Sequence, residues 1–307
     1  MPKLNSLDPI TERFRSQKPL RASSLVITVY GDSIEPHGGT VWLGALIKLL
    51  EPMGINERLM RTTIFRLTQD GWLMSDRIGR RSYYSLTGPG RRKFEQAFRR
   101  VYSDHDQSWD GSWCLIITHQ LDADQRKQLL DDLGWQGFAT LSGQVFGSPN
   151  YNLSQVHSIV AAAGLEDNVV VFETRPQQEL AGRPVRLLVK ECWDLHGLAQ
   201  QYQEFLTLFR PLWKEISEQT SLRPEECFIA RTLLIHEFRK LVLRDPLLPD
   251  ELLPGDWEGR AARQLCRNIY RTLTPGAEQW LEESLETAEG PLPVAANGFY
   301  QRFGGLK

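Results

Sequence analysis

Between Asn56 and Lys93 charge, helical period and turn chemistry change together, and this stretch restricts the possible folds more than any other. Leu59, Met60, Thr63, Ile64 and Leu67 recur in steps of one and three, which places them on one face of a helix. Arg58, Arg61, Thr62, Phe65, Arg66 and Gln69 fall on the opposite face. A core side and an outward side are thus expected. Asn56 is suited to cap the helix, because its side-chain oxygen can accept an otherwise orphan backbone N–H, and Gly71 can end it. The following segment, LMSDRIGRRSYYSL, alternates on either side of Ile78-Gly79-Arg80 and predicts a β-hairpin with Arg77, Arg80 and Arg81 at its tip.

Charge gives this pattern a direction. Asn56 to Lys93 carries nine Arg or Lys residues against Glu57, Asp70 and Asp76, a local net charge of +6 in a chain whose total is -2. The remainder is therefore acidic, and a basic island within it points to a localised polyanion contact rather than general basicity. On charge alone the stretch also fits a solvated surface.

Upstream, beginning at Thr40, the residues Leu43, Leu46, Ile47 and Leu50 form an apolar stripe that predicts a helix, and EPMGIN turns the chain into the basic one. Helix, turn, basic helix and basic hairpin together predict a winged helix-turn-helix, in which the second helix enters the major groove. Arg58, Arg61, Thr62, Arg66 and Gln69 are then the candidates for base and phosphate contacts. Arg77, Arg80 and Arg81 are candidates for gripping the backbone or minor groove. Phe65 shares that face and either meets a thymine methyl or docks on another domain.

The rest of the chain is read in order. Residues 1–20 are polar and are expected to form a mobile arm. Ser23–Asp32 is ambiguous, its β-branched residues suggesting a strand and its position a first helix. After the hairpin, Thr87 can cap a helix with Phe94, Ala97, Phe98, Val101 and Tyr102 on one stripe. From Trp113 strand, helix, two short strands, helix and strand follow, an alternation that predicts a ferredoxin-like α/β module. From Trp193 the chain reads as helical. Leu198, Tyr202, Phe205, Leu206, Phe209, Leu212, Trp213 and Ile216 make a stripe, with a kink expected at Pro211, that serves either as core or as a dimer surface. A second helix is expected through residues 228–244, a Pro-broken segment follows, and a third is expected over Glu258–Leu273. The fold class is thus α+β and multidomain, divided as 1–106, 107–192 and 193–307.

At 307 residues, with 41% apolar and 24% charged residues, the composition is that of a soluble globular protein. No signal-peptide or membrane-spanning pattern is seen, so a cytoplasmic location is expected. Cys114, Cys192, Cys227 and Cys266 are too widely spaced for a zinc or disulfide framework.

Enzymatic signatures are missing. LIHEFRK has Lys240 where a zinc-binding H-E-x-x-H motif needs its second histidine, and no glycine-rich phosphate loop is present. No metal or cofactor is expected. His236, Arg239 and Lys240, spaced i, i+3 and i+4, join the stripe of Arg260, Arg263, Arg267 and Arg271 as candidates for anion capture. They fit solvated helix faces as well. Trp193, Trp213 and Tyr270 fit either an aromatic pocket or core anchors.

RTTIFRLTQDGWL with IGRRSYYSL, the W-D-G-x-W run, GWQGF, LLIHEFRKLVLRDPLLPDELLP, ARQLCRNIY and FYQRFGGL resemble the phenylacetic acid degradation repressor family (PaaX) over nearly the whole chain. The resemblance implies a homodimeric repressor of phenylacetate catabolism genes, bound to operator DNA and released by phenylacetyl-coenzyme A. Trp193, Arg210, His236, Arg239, Lys240, Arg263, Arg267 and Tyr270 are the expected effector contacts. It also implies a central module similar to small CRISPR-adaptation nucleases. Those use acidic residues at the end of the first strand, where this chain has His119 and Gln120, so the fold is carried over and the nuclease activity is not. Two rival functions remain at the level of sequence: an enzyme acting on a coenzyme A thioester or nucleic acid with the basic helix as a docking surface, and an adaptor binding protein through the apolar stripe.

Overall fold

The computed structural model describes residues 3–103, 108–176, 184–288 and 290–306. In chain order its regular elements are α1 (Leu7–Arg15), α2 (Ala22–Val29), β1 (Thr40–Trp42), α3 (Leu43–Leu50), α4 (Glu57–Gln69), β2 (Leu73–Ile78), β3 (Arg81–Leu86) and α5 (Gly88–Tyr102). Then come β4 (Trp113–Thr118), α6 (Ala123–Gly134), β5 (Ala139–Ser142), β6 (Val145–Ser148), α7 (Leu153–Ala163), β7 (Val169–Thr174) and α8 (Val185–Cys192). The chain closes with α9 (Leu195–Glu218), α10 (Pro224–Val242), α11 (Glu258–Ser284), the short strands β8 (Glu286–Thr287) and β9 (Gly290–Pro291), and α12 (Asn297–Tyr300). These elements fall into two compact units, one of residues 1–104, 203–240 and 260–307, the other of 105–202 and 241–259. The sequence boundary between 106 and 107 lies outside the described residues.

In the first unit, the expected mobile arm is instead a docked helix. Leu7, Ile10 and Phe14 recur at helical spacing and are buried in α1, so amphipathic period prevails over the segment's polar composition. Glu215 of α9 accepts the backbone N–H groups of Asn5 (2.9 Å) and Ser6 (2.8 Å), supplying partners just ahead of the helix. The ambiguous Ser23–Asp32 segment is helical as far as Val29. Its β-branched residues reflect burial on every side, since Leu25 through Val29 are all buried. A wider π turn, Tyr30–Ile34, and a 3₁₀ turn, Glu35–His37, then carry the chain to Gly38.

Thr40 does not begin the next helix. Residues 40–42 pair antiparallel with β3, Thr40 opposite Ser85 and Trp42 opposite Tyr83, and the helix starts at Leu43. The β-branched Thr-Val pair finds ladder partners there that a helix start would not provide. The resulting sheet runs β1-β3-β2. The apolar stripe of α9 is core, not an exposed face: Phe205, Leu206, Phe209, Leu212 and Ile216 are buried. This helix continues through Pro211, and α11 runs through Pro275 to Ser284, eleven residues beyond the expected end.

The interior of this unit holds an ionic cluster centred on Asp32, a residue only 1% exposed. Its Oδ1 accepts from the Tyr102 hydroxyl (2.5 Å), the Tyr270 hydroxyl (2.8 Å) and the Arg302 guanidinium (3.2 Å). Oδ2 lies 3.2 Å from Arg231 Nε. Arg302 also donates to the carbonyls of Gly31 (3.1 Å) and Asp32 (2.9 Å), while Arg231 bonds Ser33 (3.3 Å) and Glu278 (2.7 Å). Glu278 in turn meets His37 at 3.0 Å. A carboxylate this deep survives only because two cations and two hydroxyls replace its water. Burial opposes charge on Arg231, yet Asp32, Tyr270 and Glu278 hold its pKa above the ordinary value. Burial likewise pushes both tyrosine hydroxyls up, keeping them donors.

The second unit has the strand-helix-strand-strand-helix-strand order read from the sequence, with every neighbouring pair antiparallel in the sheet β5-β6-β4-β7. Alternate residues of β4 and β6, Cys114, Ile116 and Phe146, meet Leu129 and Leu133 of α6 and Val156 and Val160 of α7 in one core. Asp122 and Gln125 form a reciprocal cap at the start of α6. Trp193 donates from Nε1 to the carbonyl of Gly137 at 3.1 Å. Gly137 has φ +87°, and a Cβ there would sit 2.6 Å from the Pro246 carbonyl oxygen, so this turn requires glycine.

Candidate nucleic-acid interface

Helix α4 is held from both ends and from beneath. The Asn56 side chain accepts the Leu59 N–H at 2.9 Å, and Gly71, at φ +70°, follows the last turn. Met60, Thr63, Ile64 and Leu67 are buried, which fixes the rotation of the helix. Arg58, Arg61, Thr62, Phe65, Arg66 and Gln69 are consequently all exposed. Apart from Leu59, which is half-buried and not fully in the core, the separation of faces is the one the spacing predicts.

The exposed side chains are not equivalent. Arg61 is tied to Glu57 one turn earlier at 2.8 Å, an exposed pair that a polyanion can outcompete. Arg58 and Arg66 have no ion-pair partner among the described residues. Thr62 donates its hydroxyl hydrogen to the Arg58 carbonyl at 3.0 Å, so it offers a ligand an acceptor and a methyl group but no donor. Phe65 is 64% exposed. It does not dock on any described part of the chain.

The hairpin places Ile78 opposite Arg81, with Gly79 at φ +61° and Arg80 forming its two-residue turn. Arg77, Arg80 and Arg81 are exposed. Arg77 donates to the Gly79 carbonyl at 3.4 Å. Arg81 lies 4.4 Å from the centre of the Trp42 ring and is ion-paired to Glu286 of β8. The sequence reading missed Glu286, because nothing local connects a carboxylate at position 286 to the hairpin tip. Tyr30 donates to the Tyr84 carbonyl at 3.3 Å, linking the turn that carries Asp32 to β3.

The residues expected to contact an effector are dispersed. In the first unit, Thr28 Oγ1 donates to the Ser24 carbonyl (2.9 Å) and accepts from Arg239 Nη1 (3.1 Å). His236 Nδ1, 3.2 Å from the same oxygen, must therefore donate to its remaining lone pair. That assigns the His236 proton to Nδ1 and leaves Nε2 a buried acceptor without a partner among the described residues. Burial, then Lys240, Arg239 and Arg21, hold the His236 pKa well below the usual imidazole range. Burial lowers Arg239 and Lys240 too. Lys240 is paired to Glu237 at 2.6 Å. Arg263 donates to the Ser103 carbonyl at 3.3 Å and lies over Phe238, Arg267 is half-buried, and Arg210 is exposed. Tyr270 belongs to the Asp32 cluster, while Trp193 is buried in the second unit. Of these, Arg239 and His236 share a hydrogen-bond partner, Thr28 Oγ1.

Comparison with known proteins covers almost the whole chain. Residues 21–90 match the model described as PaaX-like protein, 106–185 that of the PaaX protein central Cas2-like domain, and 193–283 that of the PaaX-like protein C-terminal domain. The transcriptional repressor PaaX of Escherichia coli (strain K12) is 42% identical over 308 residues, spanning 99% of this chain and 96% of the relative. Among solved structures, the uncharacterized protein Rv0674 from Mycobacterium tuberculosis aligns with a TM-score of 0.55 at 22% identity, over 83% of this chain and 97% of that one. At that identity the likeness is one of fold. No helix among the described residues is long and apolar enough to cross a membrane.

Proposed function

Because the chain belongs to the PaaX family of transcriptional repressors, we propose that it represses phenylacetate catabolism genes by binding operator DNA through a winged helix-turn-helix. The carrying observation is the outward face of α4, where Arg58, Arg61, Thr62, Phe65, Arg66 and Gln69 are all exposed. Helix α3 is the bracing helix, α4 the helix for the major groove, and the β2–β3 hairpin the wing. Arg58, Arg61, Thr62, Phe65, Arg66 and Gln69 contact bases and phosphates, and Arg77, Arg80 and Arg81 grip the backbone. Repression in place of enzyme chemistry agrees with the relative, which is a repressor.

The three segments 1–106, 107–192 and 193–307 serve as DNA-binding, central and effector or dimerisation parts, a division supported by the limits of the matched family models. The protein acts as a cytoplasmic homodimer with two α4 helices about 34 Å apart, or a multiple of that, on a roughly palindromic site. Phenylacetyl-coenzyme A releases it by preferring a state in which that spacing is lost. Arg210, Arg239, Lys240, Arg263 and Arg267 suit the anionic part of such a ligand. Trp193, His236 and Tyr270 are buried and reach it only if their surroundings move.

A gel-shift titration of the promoter region, with and without phenylacetyl-coenzyme A, tests both halves. Specific retention abolished by the thioester is expected. Affinity unchanged at saturating thioester would remove the effector assignment, and absence of sequence-specific retention would remove the repressor assignment.

A further inference from the structure

Phe65 stands at the middle of α4 with nearly two thirds of its surface exposed. An aromatic ring held in water at that position forgoes about 1.5–3 kcal/mol of burial, and it contributes little to this fold. Its neighbours on the exposed face are the cations Arg58, Arg61 and Arg66 with Gln69, and the one carboxylate beside them, Glu57, is paired to Arg61. Thr62, one turn earlier, has its hydroxyl hydrogen committed to the Arg58 carbonyl. The centre of the face is therefore apolar and its rim basic. A rim of that charge fits a polyanion, and it disfavours a second copy of itself, because an isologous contact would bring like charges together.

Resting on the proposed operator binding, we infer that Phe65 reads thymine through its 5-methyl group. In the major groove the edges of the four base pairs present donors, acceptors and one apolar substituent, the thymine methyl. A phenyl ring has no hydrogen bond to offer, so that methyl is the single base feature it can recognise. Phe65 and Arg66 are consecutive, with Cα atoms about 3.8 Å apart, close to the ~3.4 Å rise of one base step. The thymine then lies within one or two base pairs of the base contacted by Arg66. The ring excludes water from that neighbourhood, which strengthens the adjacent arginine contact.

The test uses the full chain and a duplex selected by it from a randomised pool. Thymines in the selected site are replaced one at a time by deoxyuridine, which removes only the methyl group. One position per half-site is expected to lose about fourfold in affinity, the worth of one buried methyl group, and Phe65→Ala is expected to bind dT and dU duplexes equally. Equal binding of all dU duplexes by the unmodified protein, while Arg66→Ala still weakens binding, would overturn the inference and leave the operator reading intact. A change in oligomeric state for Phe65→Ala, with dU discrimination retained, would assign the ring to a protein contact and overturn it too. A pool that yields no preferred sequence would overturn both readings.

Discussion

The hydroxyl of Tyr270 donates a 2.8 Å hydrogen bond to the carboxylate of Asp32, joining the longest C-terminal helix to the π turn that precedes the β1–β3 pairing. Asp32 accepts hydrogen bonds from three side chains and is ion-paired to a fourth, Arg231, so its loss leaves Arg231 and Arg302 as buried cations without their common anion. Asp32→Ala is expected to destabilise the protein by about 3–5 kcal/mol, measured as a shift in the urea midpoint. A change below about 1 kcal/mol would show that the cluster rearranges freely.

The same cluster sets a dependence on acid. Burial pushes the Glu278 carboxyl up, but Arg231 and His37 outweigh it and hold the pKa at about 2, below the ordinary 4.5. A folded-state pKa below the unfolded one contributes stability that is complete above pH 4.5 and is lost as pH falls from 4.5 towards 2. The loss amounts to at most about 3 kcal/mol. Glu278→Gln should flatten stability in that window in a series of denaturation curves, and identical pH profiles for the two proteins would contradict it.

On DNA, Arg66 and Arg80 should behave differently. Arg66→Ala is expected to cost about 1–3 kcal/mol and relax base preference at one position per half-site. Arg80→Ala should weaken all sequences alike and reduce the slope of affinity against salt by about one. Titrations at several salt concentrations separate the two, and wild-type behaviour for both would count against this face as the interface.

Glu286 places a negative charge on Arg81, a candidate phosphate contact. Glu286→Gln should release the guanidinium and raise operator affinity about 1.5- to 5-fold at low salt, the range of an exposed pair, and the gain should shrink as salt screens it. If affinity falls instead, Glu286 orients Arg81 over Trp42 and does not compete for it.

Local patterns were legible where one element decides its own structure. The faces of α4 follow from residue spacing and the Asn56 cap, and the hairpin from alternation around Gly79. Helix α1 was legible too, in Leu7, Ile10 and Phe14, but its polar average concealed the period. Thr40–Trp42 misled because its strand depends on partners at positions 83–85, far along the chain. Asp32, Arg231 and Arg302 were not legible at all. Each is an ordinary charged residue in its own segment, and only long-range burial distinguishes them. The apolar stripe of α9 could be assigned to core only when its neighbours were seen, since period alone does not say what covers a helix face.

The segment from Gly31 to His37 takes its internal partners from positions 231, 278 and 302, and then leads through Gly38 and Gly39 into the strand beside the hairpin. The first hundred residues are therefore not a cassette. Cut free, they would carry an uncompensated carboxylate in their interior. Under the proposed operator binding, a new DNA specificity is grafted onto this chain by changing exposed residues of α4 and the hairpin, with the ionic seam of Asp32 left untouched.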